Sequence, residues 1–252
     1  MRTLDSSHYL IRVSLKREEI PADLASKYPF DLPIIRHFSS ITFHPKVTYL
    51  VGENGSGKST LLEAIAIGMG FNAEGGSRNF HFSTMDSHSP LHNYLRLSRG
   101  VRRPRDGYFL RAESFYNVAS EIERLDESGG GPPIKSYYNN QSLHEQSHGE
   151  SFITLMEHRF GGNALYILDE PEAALSPARQ LKLLALMHKH IAAGSQFIIA
   201  THSPILMAYP EATIYAIDNG HIAKAAYEST EHFQLTKYFL DNREKVLKEL
   251  FT

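Results

Sequence analysis

The chain has 252 residues, enough for one α/β domain or two small ones. Its 26 basic and 28 acidic residues give a formal net charge of −2, so the chain lacks the global basic excess of a typical nucleic-acid-binding protein. The absence of cysteine excludes a disulfide scaffold, a thiolate nucleophile and a cysteine-ligated zinc site. Residues 1–10 lack the apolar core of a signal peptide and no stretch has the length of a membrane helix, so we expect a cytoplasmic protein.

Short β-rich runs alternate with apolar helical stretches along the chain. In chain order the pattern predicts strands at residues 9–15, 41–43, 47–51, 108–112, 164–168, 197–201, 214–218 and 221–224. It predicts helices at residues 60–69, 151–160, 177–193, 231–240 and 243–251. Asn219-Gly220 is a hairpin turn signal between the last two strands. We therefore expect one α/β domain over residues 1–252, with a mainly parallel sheet, antiparallel β pieces and a small helical subregion at about residues 70–160.

A glycine-rich segment follows the third predicted strand and precedes a predicted helix. It reads GENGSGKS and fits the phosphate-loop pattern G-x-x-x-x-G-K-[ST] at every fixed position. Its glycines let main-chain N–H groups surround phosphate oxygens, Lys58 reaches the β- and γ-phosphates, and the Ser59 hydroxyl suits Mg²⁺. The predicted nucleotide-binding residues are Gly52, Glu53, Asn54, Gly55, Ser56, Gly57, Lys58, Ser59 and Thr60.

Two carboxylates end the apolar run at residues 164–168. Such a strand delivers Asp169 to the carboxyl edge of a parallel sheet, where it can hold Mg²⁺. Glu170 is then placed to orient and deprotonate a water molecule. An acidic cap after a strand is the alternative, but it is disfavoured 110 residues downstream of a matched phosphate loop.

These motifs together resemble those of ATP-binding-cassette (ABC) ATPases, in the branch that includes the SMC, RecF and OLD-like soluble ATPases. The resemblance spans roughly residues 34–218 and implies a P-loop NTPase fold of ABC type. Residues 173–176 (AALS) stand at the position of the D-loop. Residues 201–204 (THSP) match the switch-histidine segment, which implies that His202 contacts the γ-phosphate. With 110 residues between Lys58 and Asp169, the chain has no room for long coiled-coil arms and is expected to be a stand-alone head.

Two segments depart from the pattern of the family. The signature, usually LSGGQ or LSGGE, is matched best by QSHGE at residues 146–150, with a histidine in place of a glycine. The resemblance implies that this segment binds the γ-phosphate of ATP held by a second subunit, whereas a helix cap rich in Ser and His is the alternative. The predicted signature residues are Ser147, His148, Gly149 and Glu150. The other departure is Glu113, which stands where the family has a glutamine and is a candidate Mg²⁺ ligand.

The resemblance implies Mg²⁺-dependent ATP hydrolysis by a homodimer that forms head to tail when ATP binds. A run of arginines offers a clue to a partner, because phosphates or an acidic protein face would suit it; a solvated surface is the alternative. Its members are Arg96, Arg99, Arg102, Arg103, Arg105 and Arg111. We expect a nucleic acid or a nuclease or defence protein as partner. The energy subunit of an ABC transporter and a slowly hydrolysing nucleotide switch are the alternatives.

Overall fold

Ten strands form two sheets in the computed structural model, which describes residues 8–77, 89–111 and 148–252. The strands are β1 (Leu10–Leu15), β2 (Ser40–Thr42), β3 (Val47–Gly52), β4 (Gly76–Ser77), β5 (Leu95–Arg99), β6 (Asp106–Arg111), β7 (Ala164–Asp169), β8 (Gln196–Ala200), β9 (Thr213–Asp218) and β10 (His221–Ala225). The larger sheet has the order β10-β9-β3-β8-β7-β6-β4, and the smaller has the order β2-β1-β5.

The five inner strands of the larger sheet, from β9 to β6, run parallel, while β10 and β4 are antiparallel to their neighbours. The carboxyl ends of β3, β6, β7, β8 and β9 therefore meet along one side, here named the carboxyl edge. Their starts form the opposite side, named the amino edge. The mainly parallel α/β fold that the sequence predicts is confirmed.

Seven α-helices accompany the sheets in the described residues. They are α1 (Pro33–His37), α2 (Lys58–Gly68), α3 (His148–His158), α4 (Pro177–Ala192), α5 (Pro204–Met207), α6 (Glu231–Asp241) and α7 (Arg243–Leu250). Single turns of 3-10 helix lie at Arg17–Glu19, Pro90–Tyr94, Pro171–Ala174 and Tyr227–Ser229. Among the residues that the structure describes, none of the helices combines the length and apolar character that crossing a bilayer requires.

The larger sheet is covered on both faces, which explains why its inner strands read as continuous apolar runs. Every residue of β7 and β8 is buried. Alternate residues point to opposite faces, so Tyr166 packs with α3, α4 and α5, while Ile167 packs with α1, α2 and the smaller sheet. Burying an Ile or Leu side chain in this way contributes about 1.5–3 kcal/mol.

A buried glutamine forms several hydrogen bonds between the larger sheet and the start of the smaller one. The Gln196 side-chain oxygen accepts hydrogen bonds from the main-chain N–H groups of Tyr9 and Leu10, both at 3.0 Å. Its amide nitrogen donates to the carbonyls of Leu10 at 2.9 Å and His44 at 3.0 Å. All four hydrogen bonds that the side chain can form are therefore used at a fully buried position.

Most of the predicted elements are confirmed, and two strands were not predicted. The hairpin is present, with Asn219 and Gly220 at positive φ between β9 and β10. Strands β4 and β5 had no prediction, since β4 has two residues and β5 reads LRLSR, which we interpreted only by its charge. The described part of residues 70–160 contains β4, β5, β6 and α3; residues 78–88 and 112–147 lie outside the described part, so the helical subregion stays a prediction.

Candidate active site

The predicted phosphate loop connects β3 to α2 at the carboxyl edge. Gly55 and Gly57 adopt positive φ values of 78° and 89°, a backbone region that disfavours side chains. A Cβ atom at Gly57 would also lie 2.5 Å from the side chain of Ile34. The loop lines one wall of a cavity of about 750 Å³, whose other walls are the β9–β10 hairpin and the start of α6.

Lys58 is held by its own loop. Only 3% of the residue is exposed, and its ammonium donates hydrogen bonds to the carbonyls of Gly52 and Glu53, both at 2.8 Å. Burial lowers the pKa of Lys58, while the carboxylates of Glu170, Asp169 and Glu172, at the end of β7 and just beyond it, partly offset that effect. An ammonium has three protons, so one donor remains for a phosphate oxygen.

The next two residues of α2 differ in their surroundings. Ser59 donates a hydrogen bond from its hydroxyl to Oδ1 of Asp169 at 3.0 Å, which joins the two motifs across 110 residues of chain. Thr60 instead shares a hydrogen bond of 3.2 Å with the hydroxyl of Tyr28. A nucleotide contact through the Thr60 hydroxyl would therefore have to share or replace the hydrogen bond with Tyr28.

Asp169 ends β7 and is 6% exposed. The register of β6 and β7 places Arg111 opposite Asp169, and Nε of Arg111 lies 3.9 Å from Oδ2 of that carboxylate. Arg111 also forms an ion pair of 2.6 Å with Glu63 of α2. Hydroxyl and carboxylate oxygens are the donors that Mg²⁺ prefers, so the Ser59–Asp169 pair fits this ion.

Glu170 and His202 meet directly beyond the ends of β7 and β8. Glu170 has a φ of 49°, an uncommon backbone conformation for a glutamate. Its Oε1 lies 3.1 Å from Nε2 of His202. The main-chain N–H of His202 donates to Oε1 of Glu172 at 2.5 Å, which fixes the switch segment against the segment after β7. The structure thus brings the two predicted catalytic residues into contact.

His232 is a site residue that the sequence analysis missed. It lies in the first turn of α6, lines the cavity, and its Nε2 is 3.0 Å from Nδ1 of His202. No local motif marks this histidine, which is 30 residues downstream of His202. The available signal was its position at the start of a helix that follows the predicted hairpin.

Part of the predicted signature is described. His148, Gly149 and Glu150 form the first turn of α3, whereas Ser147 lies outside the described residues. A Cβ atom at Gly149 would be 2.5 Å from the carbonyl of Ala174, so α3 touches the D-loop segment by a close backbone approach that glycine permits. Glu150 forms an ion pair of 2.8 Å with Arg179 of α4. The candidate ligand Glu113 also lies outside the described residues.

The arginine run is divided between the two edges. Five of its members are exposed and lie on β5 or between β5 and the start of β6, which is at the amino edge. They are Arg96, Arg99, Arg102, Arg103 and Arg105. The last four line a cavity of about 620 Å³ together with Asp106, whose carboxylate is paired with Arg159. Arg111 does not belong to this group, because β6 carries the chain about 20 Å across the sheet. Grouping it by distance along the sequence was wrong.

Comparisons with known proteins add the family. A family model described as "AAA domain" matches residues 30–153, and a second AAA domain model, whose description names the AbiEii toxin of a Type IV TA system, matches residues 140–208. The cytochrome c biogenesis ATP-binding export protein CcmA of Mesorhizobium japonicum is 31% identical over 163 residues, which cover 62% of this chain and 78% of CcmA. The chain belongs to the ABC-type ATPases.

Two further relatives of this ABC-type ATPase extend over most of the chain. The cobalt import ATP-binding protein CbiO of Salmonella paratyphi A is 26% identical over 245 residues, with 87% of each chain covered. The structure of cbiO1 from Clostridium perfringens, part of the ABC transporter complex cbiONQ, matches with a TM-score of 0.51 at 17% identity and covers 96% of this chain and 99% of its own. The fold is that of an ABC ATPase, and the chain is an ATP-binding protein that hydrolyses ATP.

Proposed function

We propose that this ATPase works as a homodimer that closes head to tail on ATP, with the whole of residues 1–252 acting as one ATPase unit. The contact of Glu170 with His202 beside the phosphate loop supports the ATPase site of this proposal, because it brings the proposed base next to the proposed γ-phosphate contact. The start of α3 supports it further, since a helix N-terminus suits a phosphate of the partner subunit. Ser147, His148 and Glu150 belong to the same proposed surface.

In the proposed reaction the loop N–H groups and Lys58 hold the phosphates of ATP. Ser59 and Asp169 would hold Mg²⁺, with Glu113 as a further ligand, and the ion would supply charge neutralisation between the β- and γ-phosphates. Water attacks the γ-phosphorus, the bond to the bridging oxygen breaks, and ADP leaves. Glu170 takes a proton from the water and His202 donates a hydrogen bond to the γ-phosphate. A cytoplasmic location, where ATP and Mg²⁺ are supplied, is part of the same proposal.

The dependence of turnover on protein concentration tests this dimer. Because each complete site needs two subunits, the ATP turnover per subunit should rise with protein concentration and then level off. The measurement is steady-state phosphate release over about a hundred-fold range of concentration at saturating Mg·ATP. A turnover that is constant over that range in a protein that sedimentation shows to be monomeric would contradict the proposal.

A nucleic acid is the partner that the amino edge favours. In the described part of the chain, Arg102, Arg103 and Arg105 are exposed without an acidic partner, while the nearby Asp106 is neutralised by Arg159. Unpaired guanidinium groups around a cavity suit the phosphates of a polynucleotide backbone. A nuclease or defence protein would then act together with the bound nucleic acid.

Replacing Arg102 and Arg103 by serine tests the nucleic-acid partner. The double variant should bind duplex DNA or RNA about ten-fold more weakly in 50 mM salt and show a smaller slope of affinity against salt concentration. The matched control is Arg243→Ser with Lys245→Ser, which removes two exposed positive charges from α7. Equal affinities of the two double variants for both nucleic acids would exclude binding at the amino edge.

A transporter energy subunit is the second candidate function. The names of the relatives favour it, since CcmA is an export protein and CbiO is a cobalt import protein. Co-purification with a membrane protein from the source cells, with an ATPase activity that nucleic acid leaves unchanged, would support this candidate over the nucleic-acid partner.

A further inference from the structure

His232 contacts the catalytic pair from outside every motif of the ATPase. Its ring lies on the far side of His202 from Glu170, with 3.0 Å between Nε2 of His232 and Nδ1 of His202. The two ring centroids are 5.1 Å apart and their planes are inclined by 60°. Glu170, His202 and His232 thus form a continuous row of hydrogen-bonding atoms across the carboxyl edge.

The start of α6 is anchored next to His202, which gives His232 a defined position. Thr230, the residue before the helix, is 2% exposed, and its hydroxyl donates to the carbonyl of Tyr227 at 2.7 Å. The hydroxyl of Tyr227 donates in turn to the carbonyl of Pro204, two residues after His202, at 2.9 Å. The rings of Tyr227 and Phe233 pack with their centroids 4.7 Å apart.

The hydrogen-bonding chemistry of Glu170, His202 and His232 determines which nitrogen carries each proton. A carboxylate only accepts hydrogen bonds, so the proton of the contact with Glu170 lies on Nε2 of His202. In the neutral ring Nδ1 is then an acceptor, and His232 donates its Nε2–H to it. If His202 carries both protons, His232 can accept at the same atom. The Nε2–H of His202 faces Glu170 in either case.

The surroundings of His232 agree with a neutral ring. Burial lowers its pKa, and so do the nearby His202 and Lys58, while Glu231 and Glu53 act in the opposite direction. A neutral imidazole has one N–H, which is what donation to Nδ1 of His202 requires.

We infer that His232 is a positioning residue, which holds the ring of His202 in the tautomer that directs Nε2–H toward Glu170 and the γ-phosphate. The inference rests on the proposed roles of Glu170 and His202. Hydrogen bonds to the second nitrogen of a functional histidine fix its tautomer and orientation, and losing them weakens activity even though the functional ring remains.

Two variants distinguish the effect of the His232 hydrogen bond on turnover from the effect of its side-chain volume. His232→Leu fills the space but cannot donate, whereas His232→Gln offers an amide N–H of similar reach. We expect His232→Leu to lower kcat by about ten- to a hundred-fold with a KM for ATP within about two-fold, and His232→Gln to recover most of the loss. The matched control is His188→Leu, which removes a histidine that is hydrogen-bonded to Tyr209 outside the site and should leave kcat unchanged.

The ring ¹⁵N shifts of His202 in the nucleotide-free protein give an independent readout. The wild-type protein should show the Nε2–H tautomer, His232→Leu should show a mixture of tautomers, and His202→Gln assigns the signals. An Nδ1–H tautomer in the wild type would overturn the inference, as would a His232→Leu kcat within two-fold of wild type or an equal loss in both His232 variants. Full ATP turnover by Glu170→Gln would instead contradict the proposed function, while the nucleotide-free tautomer still reports on His232.

Discussion

The two edges of the larger sheet differ in how their polar and charged side chains are bound. At the carboxyl edge the candidate site residues bind one another: Ser59 donates to Asp169, and His202 lies between Glu170 and His232. At the amino edge the arginines project into solvent around a cavity, with Asp106 already paired to Arg159. Groups that fix each other at hydrogen-bond distances suit a reaction that needs defined geometry, whereas solvated charges suit attraction to a polyanion of variable shape.

This difference predicts which property each edge controls. Changes at the carboxyl edge should alter ATP binding or turnover while the fold remains. Changes at the amino edge should alter partner binding or the stability of the chain and leave the intrinsic ATPase activity in place.

The largest effect on turnover is expected for Lys58→Ala. The buried ammonium is the cationic donor of the phosphate loop, so its removal should lower kcat/KM for ATP by roughly 10²- to 10³-fold. The free energy of unfolding in urea should change little, because the ammonium donates hydrogen bonds only to two carbonyls of its own loop.

Lys46→Ala is the control for that variant. Lys46 is an exposed lysine just before β3, at the amino edge, and forms an ion pair with Glu211. Its removal should leave turnover unchanged. If both lysine variants lose turnover to a similar degree, the functional separation of the two edges is refuted.

At the amino edge, Gln196→Ala should be the most destabilising change. The substitution leaves four main-chain groups of the sheet junction without the partners that Gln196 supplies, and we expect a loss of roughly 3 kcal/mol or more in the free energy of unfolding. Urea denaturation measures this, with Gln234→Ala as the control. Gln234 is exposed and makes a single side-chain hydrogen bond to a carbonyl at 3.2 Å, so its loss should cost less than about 0.5 kcal/mol. Equal stability of the two variants would show that Gln196 does not join the sheets.

A smaller effect concerns the dependence of stability on pH. His190 is 4% exposed on α4, and burial lowers its pKa although a hydrogen bond to the Met156 carbonyl acts the other way. The folded protein therefore favours the neutral ring. Its contribution to stability is present above the pKa of about 6.5 of an unfolded histidine and is lost as the pH falls below that value.

His190→Gln isolates this contribution. The variant should lose less free energy of unfolding than the wild type between pH 7.5 and pH 5.5, and its turnover at pH 7.5 should match the wild type. Parallel losses in the two proteins over that interval would assign the acid sensitivity to other groups.

Local patterns were enough to predict the phosphate loop and every strand of the larger sheet except the two-residue β4. The run from Ala164 to Asp169 is apolar because both faces of β7 are covered, and the glycines of the loop are required where φ is positive. Asp169 and Glu170 could be placed at the carboxyl edge because parallel strands end on the same side.

The contacts that depend on distant parts of the chain could not be predicted in this way. His232 reaches the site because Tyr227 binds the carbonyl of Pro204, a contact that leaves no periodic trace in the sequence. Gln196 appears as one polar residue at the start of an apolar strand, and only the packed β1 reveals its four hydrogen bonds. Arg111 was grouped with the wrong edge because distance along the chain ignores the length of β6.

The mass of Glu170→Gln in the presence of Mg·ATP tests the proposed ATP-dependent dimer most directly. The variant keeps the phosphate loop and the size of the side chain but loses the base, so ATP should bind without being hydrolysed and hold two subunits together. Light scattering on a sizing column should give twice the mass of one chain with ATP and the mass of one chain without nucleotide. A single-chain mass with ATP bound, in a preparation whose wild-type counterpart hydrolyses ATP, would contradict the account.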